Sequence, residues 1–422
     1  MDKEFSRLLA RVARNISVAE SGVVHEEATA MQNDRTPLAE LINYVIATAS
    51  AANVSDIHIE PMATGARIRL RLDGELRDAF QIIPAELYRN LVSRVKILCR
   101  MDIAETRLPQ DGRFTFWQEG KDLDMRVSIV PVIYGEKIVM RILNNQQSLK
   151  NLEQLDLTEN NKAILLAQCQ KANGALLITG PVNSGKTTLM YAIMQKLNHS
   201  ERNLISIEDP VEYKLLGVNQ IQVNEKINLT FEAALKAVLR QDFDCLGVGE
   251  IRSRDTAEMM ITAALTGRMV FSTLHTAGAV KTIFRLMDMG IPGYLLAVAL
   301  SVVVSQRLVK RLCPYCRQAY KVKADSMEAK FLGEKYEPDR VFYLPEGCDK
   351  CKGTGYAGRV AVHEVLVVNA NLSNAISQGK SLEELEQLAI TEGMIPMKED
   401  AIGKAKEGLT DLKSIMTINY GD

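Results

Sequence analysis

The sequence has no apolar run long enough to cross a bilayer, which needs about 20 residues. Its longest such stretch, Tyr294 to Val304, reads instead as a buried helix. Charge of one sign is also missing: 51 basic residues face 52 acidic ones. That balance removes any global electrostatic case for nucleic acid or a membrane surface as partner. No stripe of aromatic residues interleaved with basic ones is present, which argues against a nucleic-acid translocase. The N-terminus, Met1-Asp2-Lys3-Glu4, has no apolar h-region, so no secretory leader is expected and the chain reads as cytosolic.

What is present begins with residues 180–188, Gly-Pro-Val-Asn-Ser-Gly-Lys-Thr-Thr, a full G-x-x-x-x-G-K-[ST] phosphate loop. The apolar run Ala175–Thr179 before it reads as a buried strand, and Leu189–Met194 after it as a helix. Gly180 and Gly185 let the backbone curl through Pro181 so that N–H groups of Val182-Asn183-Ser184 and their neighbours, Pro181 itself having none, point at phosphate oxygens. The helix starting near Lys186 adds its positive dipole end. Lys186 reaches the outer phosphates; Thr187 offers a hydroxyl to Mg²⁺, with Thr188 beside it.

A hydrolase also needs acids. Asp244-Cys245-Leu246-Gly247-Val248-Gly249-Glu250 places an acid on either side of an apolar strand, and Asp244 is a candidate for the nucleotide site. Ligand sites lie at the carboxyl ends of such strands, so Glu250 is the candidate to activate water. Ile207-Glu208-Asp209-Pro210-Val211-Glu212 offers further carboxylates at another strand end, Glu208 first. His275, in Ser272-Thr273-Leu274-His275-Thr276, either senses phosphate or water, or is merely structural.

Seven cysteines include two close pairs, Cys313-Pro-Tyr-Cys316 and Cys348-Asp-Lys-Cys351. In a cytosolic chain such pairs read as a four-thiolate zinc site, the alternative being redox-active or simply reduced thiols. Cys99, Cys169 and Cys245 sit in apolar surroundings and read as core.

The pattern divides the chain into an arm and linker (1–35), an α+β domain (36–148), an α/β nucleotide domain (149–306), a tetracysteine subdomain (307–365) and a helical tail (366–422). Phe5, Leu8, Leu9 and Val12 line one face of a short helix that packs on its own domain or docks on a partner. Expected strands of the α/β domain are 175–179, 203–207, 244–249 and 269–274. In the α+β domain, Asp73-Gly74 marks a hairpin and arginines recur at strand ends.

These motifs, with Asp56-Ile57-His58-Ile59-Glu60-Pro61, Arg107-Leu108-Pro109-Gln110-Asp111-Gly112-Arg113 and Thr354-Gly355-Tyr356-Ala357-Gly358-Arg359, resemble the secretion ATPase superfamily. The resemblance is to its type II secretion and type IV pilus assembly branch and covers nearly all of 38–422. It implies a RecA-like P-loop NTPase domain behind a PAS-like α+β domain, assembled as a homo-hexamer at the cytoplasmic face of the inner membrane. ATP and Mg²⁺ lie between the two domains, and Arg107, Arg113 and Arg126 reach the phosphates. The stroke drives an inner-membrane platform protein, and a membrane-associated protein docks the ring. No nucleic acid is expected, although a ring-shaped DNA translocase or helicase, or a nucleotide-binding regulator with little turnover, shares the loop. Four departures stand out: Val182-Asn183 for the usual Thr-Gly, Phe243 for proline, Ser253 for aspartate and Arg268 for histidine. Relatives often carry a further N-terminal docking domain, for which 1–35 is too short.

Overall fold

The computed structural model describes residues 2–19, 36–52, 54–72, 74–118, 121–143 and 150–418. It divides into two compact units, Met1–Ser148 and Leu149–Asp422. The linker expected after the N-terminal arm, His25 and Asp73 of the expected hairpin lie outside the described residues.

In the first unit, α1 (Lys3–Ala19) and α2 (Pro37–Ala51) precede three strands, β1 (Asp56–Met62), β2 (Gly65–Leu72) and β3 (Glu75–Asp78). Then come α3 (Ala85–Leu98) and β4 (Gln110–Gln118), β5 (Lys121–Val132) and β6 (Gly135–Leu143). Among the described residues these strands make one sheet in the order β3-β2-β1-β6-β5-β4. Alternation assigns its two faces. Ile57, Ile59, Ile68, Val127, Ile129 and Met140 are buried in one core with Phe5, Leu8, Leu9 and Val12 of α1. The N-terminal helix is therefore packed on its own unit, as its apolar face suggested.

The opposite face is basic. Cross-strand register lines up Arg71, Asp56, Arg141, Arg126 and Arg113 in one row over five strands. Asp56 accepts from Arg141 Nε at 2.8 Å. In a second row Glu60 accepts from Arg67 Nε at 2.9 Å and from Arg69 Nη2 at 2.8 Å, and it pairs with Lys137 at 3.0 Å. Burial pushes the Glu60 carboxyl up, but Arg69, Lys137 and Arg67 together outweigh it and hold it at about 2. Its ionised form therefore stabilises the unit fully above the ordinary carboxylate value of 4.5, and that contribution fades as pH falls toward 2. Glu60→Gln should cost about 1.5–3 kcal/mol at neutral pH, the range for hydrogen bonds to charged groups. It should also flatten the acid loss between those two pH values. Urea unfolding at several pH values checks this, followed at Trp117, the chain's one tryptophan and part of this unit; equal slopes for both proteins would refute it.

The second unit is a three-layer α/β domain. Its sheet alternates with helices: α4 (Glu159–Cys169), β7 (Gly174–Thr179), α5 (Lys186–Leu197), β8 (Leu204–Glu208), β9 (Asn219–Gln222), α6 (Phe231–Val238) and β10 (Cys245–Val248). It continues with α7 (Arg254–Leu265), β11 (Met269–Leu274), α8 (Ala279–Asp288), α9 (Gly293–Ala299) and β12 (Leu300–Leu312). Then β13 (Arg317–Lys321), α10 (Met327–Leu332) and β14 (Val341–Pro345) intervene before β15 (Tyr356–Val367) returns to the sheet. The tail is helical: α11 (Ala370–Ser377), α12 (Leu382–Thr391), α13 (Met397–Lys406) and α14 (Leu412–Met416).

The described sheet order is β15-β12-β7-β11-β10-β8-β9, parallel except where β15 runs against β12. Apolar clusters cover both faces. This is the RecA-like α/β arrangement with a preceding PAS-like α+β unit. All four strands expected from sequence are present, each within a residue or two of its expected bounds. Tyr294–Val304 corrects an expectation: it is no single helix, because the chain leaves α9 at Ala299 and enters β12 at Leu300. Three successive β-branched residues, Val302-Val303-Val304, sit fully buried in that strand. The boundary expected at 306 thus falls inside β12, and the cysteine pairs occupy an excursion between two strands of the main sheet.

Candidate active site

Parallel strands converge their carboxyl ends on one edge of the sheet, and the loop after β7 lies there. Register sets Thr179, Leu274 and Ser305 side by side at that edge. The loop has the left-handed backbone that the sequence led us to expect: Gly180 at φ +152°, Asn183 at +63° and Gly185 at +86°. Asn183 is thus a non-glycine residue that tolerates this region, which explains how the loop accommodates the change from glycine. Val182 is 71% exposed and occupies no interior space.

Lys186 opens α5 and is buried. Its ammonium donates to the carbonyl oxygens of Gly180 and Pro181, both at 2.9 Å. Burial pulls its pKa down to about 8, with Glu250 opposing and Arg307 adding to the fall. Lys186 Nζ lies 3.4 Å from His275 Nδ1, and His275 Nε2 lies 3.2 Å from Glu250 Oε2. Three residues expected separately are therefore brought into one line, Lys186–His275–Glu250, across the ends of β7, β10 and β11. With a water between His275, Glu250 and a terminal phosphate, this arrangement can take up a proton and hold the developing charge. Glu250 also pairs with Arg252, which reaches Asp209 at 3.4 Å. Arg252 was not singled out from sequence.

Other expected residues lie elsewhere. Asp244 precedes β10, so it sits at the opposite edge of the sheet, where its carboxylate accepts from the Asn203 amide at 2.8 Å. It is not at the phosphate loop, and the expectation that it binds nucleotide is corrected. Glu208 ends β8 at the correct edge but is buried and already engaged. It accepts from Tyr191, from Ser206 Oγ at 2.6 Å and from Gln220 Nε2 at 3.1 Å. Those bonds give it the part of a brace between β8 and α5. Thr187 and Thr188 follow Lys186 in the first turn of α5, partly buried. In the first unit, Arg107 is highly exposed and pairs with Glu105 at 2.9 Å; Arg113 and Arg126 are cross-strand neighbours in the basic row.

The sequence departures also find places. Phe243 and Arg268 stack on one another, guanidinium 5.4 Å above the ring, at the edge of the sheet away from the loop. Two changes that look independent in sequence are one contact. Ser253 caps α7 by accepting from the Thr256 amide at 3.2 Å, a role serine fills as well as aspartate.

The four paired cysteines come together. Their sulfurs all lie within 4.8 Å of one another. Cys313–Cys348 measures 3.9 Å, while Cys316–Cys351 and Cys348–Cys351 each measure 3.8 Å. A tetrahedron with metal–sulfur bonds near 2.3 Å has edges of about 3.8 Å, so the donors fit zinc. Burial opposes a Cys351 thiolate, yet amides of Cys348 (3.2 Å) and Gly355 (3.1 Å) donate to its sulfur and bring its pKa down to about 6. Cys99, Cys169 and Cys245 are buried core residues.

Comparison with known proteins agrees with this geometry. A family model described as "Type II/IV secretion system protein" matches residues 31–417. The chain belongs to that family. It is 40% identical over 387 residues to the type II secretion system protein E of Pseudomonas aeruginosa, covering 92% of this chain and 76% of that protein. It is 38% identical over 408 residues to the type IV pilus assembly ATPase PilB of Thermus thermophilus, covering 97% of this chain and 46% of that protein. Among solved structures, the pilus retraction motor PilT with bound ADP superposes with a TM-score of 0.61 at 25% identity, over 90% of this chain and 97% of that one. Like these secretion-family proteins, the chain is a P-loop ATPase. No described helix is long and apolar enough to cross a membrane.

Proposed function

We propose that this secretion-family ATPase couples ATP hydrolysis to assembly of a type IV pilus or a type II secretion pseudopilus, as one subunit of a homo-hexameric ring. The observation that carries the reading is the Lys186–His275–Glu250 line beside a fully formed phosphate loop. In this reading backbone amides of 180–188 cradle the phosphates and Lys186 turns from the loop carbonyls to the nucleotide. Thr187 holds Mg²⁺, Glu250 orients and deprotonates water, and His275 links the two. Glu208 acts indirectly, by bracing α5. Arg107, Arg113 and Arg126 of the first unit offset charge on the phosphoryl oxygens, a task for which the permanent charge of arginine suits them. The tetracysteine site holds zinc, and four thiolates leave no open position for catalysis. An inner-membrane platform protein receives the stroke, and a membrane-associated protein holds the ring at the cytoplasmic face of the inner membrane.

The test is specific ATPase activity against protein concentration, with Lys186→Ala as the blank. Activity should rise with concentration and then level off as arginines are supplied across an assembled interface. A rate independent of concentration down to the monomer would sink the ring motor. Turnover stimulated by DNA would favour a translocase instead.

A further inference from the structure

Behind the phosphate loop stands a residue that the motif does not contain. Gln306 lies on β12, 122 residues from Ser184, is buried, and donates from Nε2 to the Ser184 carbonyl at 2.7 Å. The loop is pressed against it. A Cβ at Gly185 would sit 2.6 Å from Gln306 Nε2, and one at Gly180 would sit 2.4 Å from the Gln306 carbonyl oxygen. Both loop glycines therefore answer to the same residue. A trans peptide carries its C=O and N–H on opposite sides. Fixing the Ser184 carbonyl toward β12 turns the Gly185 N–H the other way, into the cradle.

Gln306 is itself held. Its Oε1 lies 3.0 Å from His363 Nε2, on the neighbouring strand β15. Since its Nε2 faces a carbonyl, its Oε1 must accept, so His363 carries its proton on Nε2. The ring is wholly buried and kept neutral, first by burial and then by the charge of Lys404. The His363 amide is fixed in turn by Asp400 of α13 at 2.8 Å, and Asp400 pairs with Lys404 at 2.6 Å.

We propose that Gln306, oriented by His363, is a positioning residue that presets the phosphate loop for nucleotide. The proposal rests on the nucleotide-site reading above and deepens it. Gln306 does not reach the phosphates; it fixes which way one peptide of the cradle points. Losing it should therefore weaken phosphate binding more than the chemical step.

The experiment compares the full chain with Gln306→Met, Gln306→Glu and Gln306→Asn. Met removes both bonds. Glu keeps an acceptor for His363 but sets a carboxyl oxygen against the Ser184 carbonyl. Asn keeps the amide on a stem too short to span both partners. Fluorescent ADP binding, KM, kcat and thermal melting are read on each. Expected is a tenfold or greater loss of ADP affinity and a matching rise in KM, with kcat at saturation within about threefold of the unsubstituted chain. At least one of the three should melt within a few degrees of it. Unchanged affinity in any folded variant overturns the proposal, as does a loss of kcat with KM unchanged. So does a set in which affinity falls only in step with melting temperature, which is what a purely structural residue gives. Absence of ADP binding by the unsubstituted chain would remove the nucleotide reading and this inference together. Equal binding by the unsubstituted chain and Gln306→Met would remove the inference alone.

Discussion

Glu250→Gln should lower ATP turnover by about 10²–10⁴-fold, the range of a positioned general base, while nucleotide affinity stays level or rises slightly. Glutamine keeps the shape of the side chain and can still meet His275 Nε2, now 3.2 Å from Glu250 Oε2. What it loses is the capacity to accept a proton from water and the charge that pairs with Arg252. Affinity is spared because the cradle is built from the backbone amides of 180–188 and from Lys186, none of which the substitution removes. Removing a carboxylate that faces the phosphates also relieves repulsion. Steady-state phosphate release and fluorescent ADP binding on the same preparation separate the two effects. A variant that turns over within threefold of the unsubstituted chain would take the base from Glu250. A parallel fall in affinity would mean that Glu250 shapes the cradle instead.

The second large effect concerns the four thiolates. Protein purified under reducing conditions without chelator should carry one zinc per chain. Cys351→Ser should weaken zinc binding by more than the 10–100-fold that loss of an outer-shell partner typically costs, because it removes a ligand outright. Structural zinc is folding free energy, so the effect should be local. The segment between Leu312 and Tyr356 should open to proteolysis and hydrogen exchange. The sheet strands β7 and β11 should keep their protection, since their own apolar clusters hold them. Residues Val360 and Val362 pack with α13 and α14 in a separate cluster, and exchange there reports how far the loosening spreads. A chain without zinc that shows no change in exchange across 313–355 would make the cysteines incidental.

Much of this site was legible because its chemistry is contiguous. The phosphate loop, its flanking strand and its helix are neighbours in sequence, and two C-x-x-C units announce themselves by spacing. Glu250 and His275 followed from one rule, that acids and bases of such a sheet sit at the carboxyl ends of parallel strands. The same rule excludes Asp244, which precedes its strand. Two acids around an apolar run look symmetric, and only strand direction separates the end that serves the site from the end that does not. Glu208 was placed at the correct edge, but sequence could not show that Tyr191, Ser206 and Gln220 already engage it. Tyr294–Val304 was misread because an apolar run buried on all sides carries no period that separates helix from strand. Gln306 was invisible for a related reason. It is one of three polar residues, Ser305-Gln306-Arg307, after a valine run, and its meaning lies in partners on β15 and in the loop after β7.

That distance has a consequence for how the protein is made. A ribosome delivers the phosphate-loop motif long before it delivers the strand against which the loop is shaped. Until residue 306 and then residue 363 have emerged, Gly180 and Gly185 have no wall, and the Ser184 peptide has nothing to orient it. Contacts of such sequence separation form late, because the closing entropy of the intervening chain must be met first. A nascent or truncated chain ending before β12 thus carries the motif without the cradle. If Gln306 presets the loop as proposed, such a chain should hold nucleotide more weakly than a subunit whose sheet is complete.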